Sequence, residues 1–404
     1  MGVNYNIESF THELRDELKN ILGYWRKNVI DDKYGGFKGR IDGFNQTHDQ
    51  APKGSILNTR ILWSFSASWW LMQNEQDATT ARRTYDYLLT NFWDNDFGGV
   101  YWKVDYLGNP IDSKKQIYAQ AFAIYALSEY YLITHDQQVL EKAIAIFHLI
   151  EDHSFDNQLN GYLEAFDRQW VLLDDLRLSD KDANEKKTMN THLHVLEAYT
   201  SLYRIWKDPK LAKQLNNLIR IFTDKILNSE TWHLNLFFDE HWNTKSEIYS
   251  FGHDIEASWL ICEAAEVLGD EMLIKKSEDI AVNICRMILQ EGLDIDGAIY
   301  NEGKGGIVID TDKHWWPQAE AMVGFINAWQ INKDEKFLKA ALQVWSFIKA
   351  AIIDHKEGEW YFRVNKFRQP YMQEDKAGFW KCPYHNSRAC IELINRLYNI
   401  KANE

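Results

Sequence analysis

Cysteine is scarce in this 404-residue chain, which has four of them and no closely spaced pair. Cys262, Cys285, Cys382 and Cys390 therefore fit neither a zinc ribbon nor a dithiol redox motif. Reduced thiols are the simplest interpretation, and they are typical of proteins in the cytoplasm. From this pattern we expect a cytoplasmic protein without a structural metal.

Long apolar runs are also missing. The N-terminal stretch MGVNYNIESFTHELRDEL lacks the apolar core of a signal peptide. The most apolar stretch, Ile61–Met72, contains three serines and is too short to span a bilayer. We therefore expect no membrane partner.

Basic residues are outnumbered, and the net charge of −14 argues against binding to nucleic acid or anionic membranes. The chain has only six prolines, and no linker rich in proline, glycine or serine divides it. A single domain over residues 1–404 is therefore predicted.

Aromatic residues, in contrast, are abundant, with 17 tryptophans and 20 tyrosines. Core packing must account for many of them, but such an excess also suits the binding of a polar ring such as a sugar.

Aromatic, glycine-bearing turn segments recur at a near-constant spacing. The glycines at positions 36, 99, 161, 297 and 358 are separated by 63, 62, 136 and 61 residues. The long interval contains a degenerate fourth segment, so the period indicates six copies of one unit. Each segment has the turn residues and alternating pattern of a short β-hairpin. The segments are Asp31–Phe44, Asp94–Pro110, Asp156–Trp170, Thr231–Asn243, Asp296–Gly303 and Lys356–Pro370.

Two helical patterns lie between successive hairpins. One kind is amphipathic, as in Ala81–Phe92, Leu140–Glu151 and Lys336–Ile353. The other is apolar on most sides, which is typical of an inner helix. This alternation predicts an all-α fold, an (α/α)6 barrel of six inner and six outer helices with short β-hairpins in the connections. An open solenoid would share the period without needing this asymmetry. The predicted inner helices are Ile56–Met72, Ala119–Ile133, Leu193–Trp206, Ile255–Leu268, Ala319–Trp329 and Arg388–Tyr398.

Unusual polar and aromatic residues cluster where these inner helices begin. Inner helices of such a barrel run the same way, so their N-terminal ends meet at one mouth and offer free N–H groups to oxyanions. Arg60 lies about a turn into the first inner helix and must find an anion or carbonyl partner if it is buried. The other residues at the helix starts are Tyr118, Asn190, His192, His194, His253, Glu256, Trp315, Trp316, Glu320, Trp380 and His385.

The stretch SFGHDIEASW, Ser250–Trp259, has the strongest chemical pattern. His253 and Glu256 are three residues apart, and on a helix they share a face, so Glu256 is predicted to orient His253 for proton transfer. A capped core histidine is the alternative interpretation. His192 and His194 are two residues apart and cannot share a face, so one of them is expected to be structural. Glu320 could cap its helix, pair with Arg60, act on the ring of a bound sugar or act on His385.

Seven longer motifs resemble those of the cellobiose 2-epimerases of the N-acylglucosamine 2-epimerase superfamily over essentially the whole chain. One departure is Phe251, where the family pattern has tyrosine. The motifs are GSILNTRILW (Gly54–Trp63), YAQAFAIYALSEYY (Tyr118–Tyr131), EAFDRQW (Glu164–Trp170), KTMNTHLHVLEAYT (Lys187–Thr200), SFGHDIEASWL (Ser250–Leu260), WWPQAEAMVGFINA (Trp315–Ala328) and WKCPYHNSR (Trp380–Arg388).

The resemblance implies epimerisation at carbon 2 of the reducing-end sugar of β-1,4-linked disaccharides, such as cellobiose, lactose or mannobiose. It implies that His253 and His385 are catalytic. We also expect no metal, no cofactor, and a monomer or weak homodimer. The substrate-binding and supporting residues that it implies are Arg60, Tyr118, Asn190, His194, Glu256, Trp316, Glu320 and Trp380.

Inversion next to an aldehyde removes one proton and returns another to the opposite face through an enediolate. Two imidazoles with ordinary pKa values near 6.5 could act as base and acid. Arg60, Asn190 and His194 could stabilise the intermediate. Three alternatives remain: an aldose–ketose isomerase or monosaccharide epimerase of the same superfamily, a glycoside hydrolase with two catalytic carboxylates, and a non-catalytic helical scaffold.

Overall fold

Six inner helices form a closed ring. The computed structural model describes the backbone of residues 7–403 and the side chains of residues 7–398. Its α-helices are α1 (Ile7–Tyr24), α2 (Ser55–Met72), α3 (Glu75–Tyr87), α4 (Ile117–Thr134), α5 (Gln137–His153), α6 (Met189–Ile205), α7 (Pro209–Ile221), α8 (Phe251–Leu268), α9 (Glu271–Met287), α10 (Trp315–Asn332), α11 (Glu335–Phe347) and α12 (Tyr384–Asn403). The even-numbered helices pack in chain order, and α12 returns to α2. The predicted (α/α)6 barrel is confirmed, and the closed ring excludes an open solenoid.

Burial distinguishes the two layers as their composition predicted. In α4 every residue from Ile117 to Leu127 is buried, which only a helix surrounded by other helices can achieve. The outer helix α5 buries a single stripe instead, at three- and four-residue spacing from Val139 to Ile150. Five outer helices, α3, α5, α7, α9 and α11, begin after an Asn or Asp whose side chain accepts a first-turn N–H, as at Asp136 and Asp208.

Tight hairpins follow the outer helices at all six predicted places. Five of these helices end in a widened π turn, at Trp25–Val29, Leu88–Phe92, Phe222–Ile226, Ile288–Gly292 and Ile348–Ile352. The hairpins close through the pairs Ile30 and Phe37, Trp93 and Val100, Phe155 and Tyr162, Leu227 and Leu234, Leu293 and Ile299, and Ile353 and Trp360. Gly99 (φ 70°) and Gly161 (φ 88°) adopt left-handed backbone in these turns, which explains why glycine marks the period.

Short antiparallel strands join neighbouring repeats. They are β1 (Ile41–Asp42), β2 (Lys53–Gly54), β3 (Lys103–Val104), β4 (Pro110–Asp112), β5 (Lys115–Gln116), β6 (Ala165–Phe166), β7 (Lys187–Thr188), β8 (Phe237–Phe238), β9 (Ile248–Ser250), β10 (Glu302–Lys304), β11 (Ile307–Asp310), β12 (Lys313–His314), β13 (Arg363–Val364) and β14 (Asp375–Ala377). The strand that precedes each inner helix pairs with the hairpin of the next repeat, and β14 pairs with β1. The strand ring therefore closes at the same point as the helix ring.

In five of the six repeats a buried Asp–Lys ion pair joins the hairpin to the strand that enters the inner helix. In the first repeat Lys53 Nζ lies 2.8 Å from Asp31 Oδ2. The fourth repeat departs from this rule, because Asn228 and Tyr249 occupy the two positions. The equivalent pairs are Asp94 with Lys115, Asp156 with Lys187, Asp294 with Lys313 and Asp354 with Lys376.

None of the helices within residues 7–403 combines the length and apolar character needed to cross a lipid bilayer.

The variant Lys53→Met should lower the free energy of unfolding by about 3 kcal/mol, because Asp31 then keeps a buried charge without its partner. The double variant Asp31→Asn/Lys53→Met should be less destabilised. Asn can still accept the N–H groups of Lys33 and Tyr34 that Asp31 accepts, as Asn228 does in the fourth repeat. Denaturant unfolding measures both, and a double variant less stable than the single one would contradict the expectation.

Candidate active site

The predicted site residues gather at the mouth where the inner helices begin. Tyr118, Asn190, Trp316 and His385 are each the second residue of their helix. The exception is Trp380, which was predicted to open the sixth inner helix and instead lies in the loop before α12. The others lie within the first two turns: Arg60 in α2, His194 in α6, His253 and Glu256 in α8, and Glu320 in α10.

Trp316 brings the two predicted catalytic histidines to one surface. Its ring centroid lies 4.6 Å from that of His253 and 5.6 Å from that of His385. A cavity of about 460 Å³ opens beside His253, Trp316 and Asn190, and residues of the segment 176–185 line part of it. This volume is within the usual range for small-molecule sites.

The predicted pairing of Glu256 with His253 is wrong. His253 Nδ1 is buried without a hydrogen-bond partner. Glu256 Oε1 instead accepts a 2.5 Å hydrogen bond from Arg388 Nη2. Residues i and i+3 diverge by about 60° around a helix, and a guanidinium on a neighbouring helix holds the carboxylate more strongly than a neutral imidazole can.

Glu320 contacts His385 rather than Arg60. Its Oε1 lies 2.6 Å from His385 Nδ1, and its Oε2 accepts a 3.1 Å hydrogen bond from the indole of Trp259. Of the four possibilities that the sequence left open for Glu320, the geometry matches action on His385. The carboxylate fixes the orientation of that imidazole and leaves Nε2 as the free ring nitrogen.

Arg388 is the central residue that sequence reasoning missed. It is buried, and it donates to Glu256 at 2.5 Å, to Glu320 at 2.7 Å and to Glu197. Glu197 was missed as well, although its Oε2 lies 2.8 Å from Nδ1 of His194. Both signals were present: an arginine on an apolar helix three residues after His385, and a glutamate three residues after His194.

Glu256, Glu320 and His385 lie close enough together to hold a metal ion. The donor set does not favour one, however, because Arg388 already donates an N–H to each of the two carboxylates. The guanidinium is therefore the cation that balances this cluster.

The pKa values of Glu197, Glu256 and Glu320 shift in different directions, because burial and Arg388 oppose each other. Burial alone would raise the pKa of Glu197, but Arg388 and His194 outweigh it and lower the pKa to about 2. Burial, with the negative charge of Glu320 next to it, raises the pKa of Glu256. Burial also raises the pKa of Glu320. Both carboxyl groups therefore bind a proton more strongly than an exposed glutamate does, and both lie next to His385.

Both predicted catalytic imidazoles are neutral near neutral pH. Burial, helped by nearby His194, lowers the pKa of His253 to about 3. Burial together with Arg60 and Arg388 holds the pKa of His385 well below its ordinary value. Ordinary pKa values near 6.5 were expected for the two imidazoles, but desolvation and neighbouring cations do not permit them here.

Arg60 is a buried cation without an acidic partner among the described residues. Its Nη2 donates a 2.7 Å hydrogen bond to the hydroxyl of Tyr118. Its guanidinium carbon lies 4.2 Å from the ring centroid of Phe122, and its Nε has no partner. Such an arginine remains available to an anion that enters the site.

The two histidines of NTHLH have different surroundings. His192 is the structural one, because its Nδ1 lies 2.6 Å from the carbonyl oxygen of Thr188 and its Nε2 accepts the backbone N–H of Tyr162. His194 packs edge-on against Tyr118, with ring centroids 4.8 Å apart.

A family model for N-acylglucosamine 2-epimerase (GlcNAc 2-epimerase) matches residues 35–389. The chain belongs to this family. A cellobiose 2-epimerase of Bacteroides fragilis is 49% identical over 96% of this chain and 99% of its own length. The structure of the cellobiose 2-epimerase from Bacillus thermoamylovorans superposes with a TM-score of 0.92 at 42% identity, covering 96% of this chain and 100% of that chain.

A D-mannose isomerase structure also superposes, with a TM-score of 0.84 over 98% of this chain and 100% of that one. Its identity is 21%, so it shows the shared fold alone.

The variant Arg388→Lys should lower the free energy of unfolding by about 3–5 kcal/mol, because one ammonium cannot bond three buried carboxyl groups in a plane. The same exchange at Arg396, on the same helix but partly exposed, should cost about 1 kcal/mol or less. Thermal unfolding of the two variants measures the difference, and equal losses would contradict the central role of Arg388.

Proposed function

We propose that this enzyme epimerises carbon 2 of the reducing-end sugar of β-1,4-linked disaccharides such as cellobiose. The observation that carries the proposal is the pair of neutral imidazoles, His253 and His385, against the one indole of Trp316. Relatives up to 49% identical over nearly the full chain are named cellobiose 2-epimerase, and they support the same reaction here.

Proton removal requires an unprotonated base, and a neutral imidazole is one. His253 has no carboxylate partner, and its lowered pKa leaves it unprotonated at neutral pH. In one direction it takes the proton from carbon 2 of the opened sugar. The weak acidity of that carbon is offset by stabilisation of the resulting enediolate.

Proton return requires an acid on the other face, and the surroundings of His385 supply it. Its Nδ1 lies 2.6 Å from Glu320 and 3.9 Å from Glu256, two carboxyl groups whose pKa values burial raises. His385 gives the proton on its Nε2 to carbon 2, and its Nδ1 takes a proton from this carboxyl pair. In the reverse direction the two histidines exchange roles. They serve opposite faces of the planar intermediate directly or after a bond rotation.

Charge on the enediolate oxygens requires fixed donors. Arg60 is buried without an acidic partner, and its position is held by Tyr118 and by the face of Phe122. Asn190 lines the cavity, and His194 packs against Tyr118. Preorganised donors of this kind stabilise developing charge without reorganising during the reaction.

Two partly exposed tryptophans suit the sugar rings. Trp316 lies over both histidines, and Trp380 packs at the mouth with its ring centroid 6.0 Å from that of Tyr118. Indole faces bind the apolar faces of pyranose rings, and two such platforms match the two rings of a disaccharide.

Hydrolysis is a weaker proposal because it requires an acidic and a basic carboxyl group on either side of a glycosidic bond. Here Glu197, Glu256 and Glu320 all bond the one guanidinium of Arg388. An aldose–ketose isomerase would use the same enediolate, so the two reactions are separated by identifying the product.

We also propose that the chain forms one domain and acts in the cytoplasm as a monomer or weak homodimer. The continuous barrel and four buried, unpaired thiols support the first two points.

The variants His253→Ala and His385→Ala should each lower kcat on cellobiose by about 10²–10⁴-fold, because each removes a proton-transfer group. Sugar binding should persist, since Trp316, Trp380 and Arg60 remain. Product analysis by chromatography measures the rate, and calorimetry measures binding. A variant with more than about a tenth of the wild-type rate would remove its histidine from the mechanism.

Epimerisation in heavy water should place deuterium at carbon 2 of the reducing-end sugar and none on the distal sugar. A proton taken by one histidine and returned by another exchanges with solvent between the two steps. Mass spectrometry and proton NMR of the recovered disaccharide measure the label. Product without deuterium would contradict the two-histidine route, and free monosaccharides would indicate hydrolysis instead.

A further inference from the structure

In the fourth repeat an ionisable pair, His233 and Asp254, joins the hairpin to the inner helix α8. Asp254, the fourth residue of α8, accepts the backbone N–H of Leu234 at 2.8 Å. Its other oxygen lies 2.7 Å from Nδ1 of His233. Both oxygens of this fully buried carboxylate therefore bind the hairpin, which holds the first turn of α8 through one side chain.

Other inner helices make the same contact with uncharged groups. At the equivalent position of α4, Gln120 exchanges two 2.8 Å hydrogen bonds with the backbone of Val100. Gln318 of α10 does the same with Ile299 at 2.9 Å. In α6 the position is His192, whose pKa burial lowers to about 4, so that it is neutral. Among these four helices, only α8 uses an acid and a base.

His233 extends the contact to the neighbouring outer helix. Its ring stacks on Tyr249, with centroids 3.5 Å apart and planes 13° apart. Its Nε2 lies 3.4 Å from Glu291, in the turn that ends α9. Tyr249 is the residue that replaces the usual lysine in this repeat. The cluster forms one wall of an open groove of about 930 Å³, whose other charged residues are Glu230, Glu247, Arg286 and Lys304.

The next residue in the chain is His253. Its ring has no orienting hydrogen bond at Nδ1 and is placed by packing against Trp316 and by the backbone of α8. Ser250 caps that backbone with a 3.4 Å hydrogen bond to the N–H of His253. The position of the imidazole therefore follows the first turn of α8, which Asp254 holds.

We propose that His233 and Asp254 are positioning residues that hold His253 in its reacting orientation, and that protonation of His233 strengthens this hold. The inference rests on the proposed role of His253. In this proposal Asp254 orients His253 indirectly, by fixing the backbone of α8 that carries it. Glu320 orients His385 directly, by contact with its ring nitrogen.

The pH dependence follows from the charges around His233. Burial alone would lower its pKa, but Asp254 and then Glu291 outweigh burial and raise the pKa above its ordinary value. A group whose pKa is raised by folding adds stability that is complete below the unfolded value of about 6.5. That stability is lost as the pH rises through the raised pKa of the folded state. The contact between His233 and Asp254 therefore stabilises the first turn of α8 more strongly at pH values below the pKa of His233.

The test compares His233→Gln and Asp254→Asn with the wild-type enzyme, using cellobiose across the pH range. Asn keeps an acceptor for Leu234 and removes the charge. Both variants should lower kcat by roughly ten- to a hundredfold at acidic pH, with KM changed less than twofold, because misplaced groups slow the chemical step. The ratio of wild-type kcat to that of His233→Gln should fall toward one as the pH rises. Arg286→Gln, in the same groove, is the control and should behave as wild type.

Amide hydrogen exchange supplies a readout that does not depend on turnover. The amides of His253 and Ile255 should exchange faster in His233→Gln than in wild type below the pKa of His233, and equally above it. Unchanged exchange together with a wild-type kcat would overturn the inference. Wild-type protein that does not epimerise cellobiose would contradict the proposed function instead, and the exchange experiment would still decide whether the pair holds α8.

Discussion

One buried guanidinium connects four of the six inner helices. Arg388 of α12 bonds Glu197 of α6, Glu256 of α8 and Glu320 of α10. A charge in this interior requires partners with good geometry, so the four helices have little freedom to rotate or slide against each other. Two of these carboxylates in turn orient His194 and His385. The arrangement of the reacting groups therefore depends on this one network.

The network also divides the histidines into two kinds. His385 contacts a pair of carboxyl groups whose pKa values burial raises, while Nδ1 of His253 has no hydrogen-bond partner among the described residues. Two imidazoles with different surroundings can act from opposite sides of one carbon. Two copies of the repeating unit, those of α8 and α12, thus provide a base and an acid, because the residues around their two helix starts differ.

The repeated features of the chain build the barrel, and the residues that differ between repeats build the site. Glycine turns, Asp–Lys pairs and hydrogen bonds from the inner helices to the hairpins, such as that of Gln120, recur around the ring. They place the six helix starts at one mouth. The fourth repeat lacks the Asp–Lys pair, and its His233 contacts both Tyr249 and Asp254, the residue that follows His253 in α8. The degenerate hairpin that was hardest to find in the sequence is therefore the one that supports a proposed catalytic residue.

The sequence by itself determined the period, the barrel and the mouth at which the site residues gather. These depend on local properties, namely turn residues and the spacing of apolar side chains, which each segment carries within its own length. Only the tertiary structure decided which side chains of the site bond to each other. Arg388 is 191 residues from Glu197 in the chain, and which carboxylate it holds depends on how the helices are rotated in the ring. The pairing expected between His253 and Glu256 failed because local spacing says nothing of a stronger partner on another helix. The low pKa values of both histidines depend on burial by the whole assembly, which no single segment encodes.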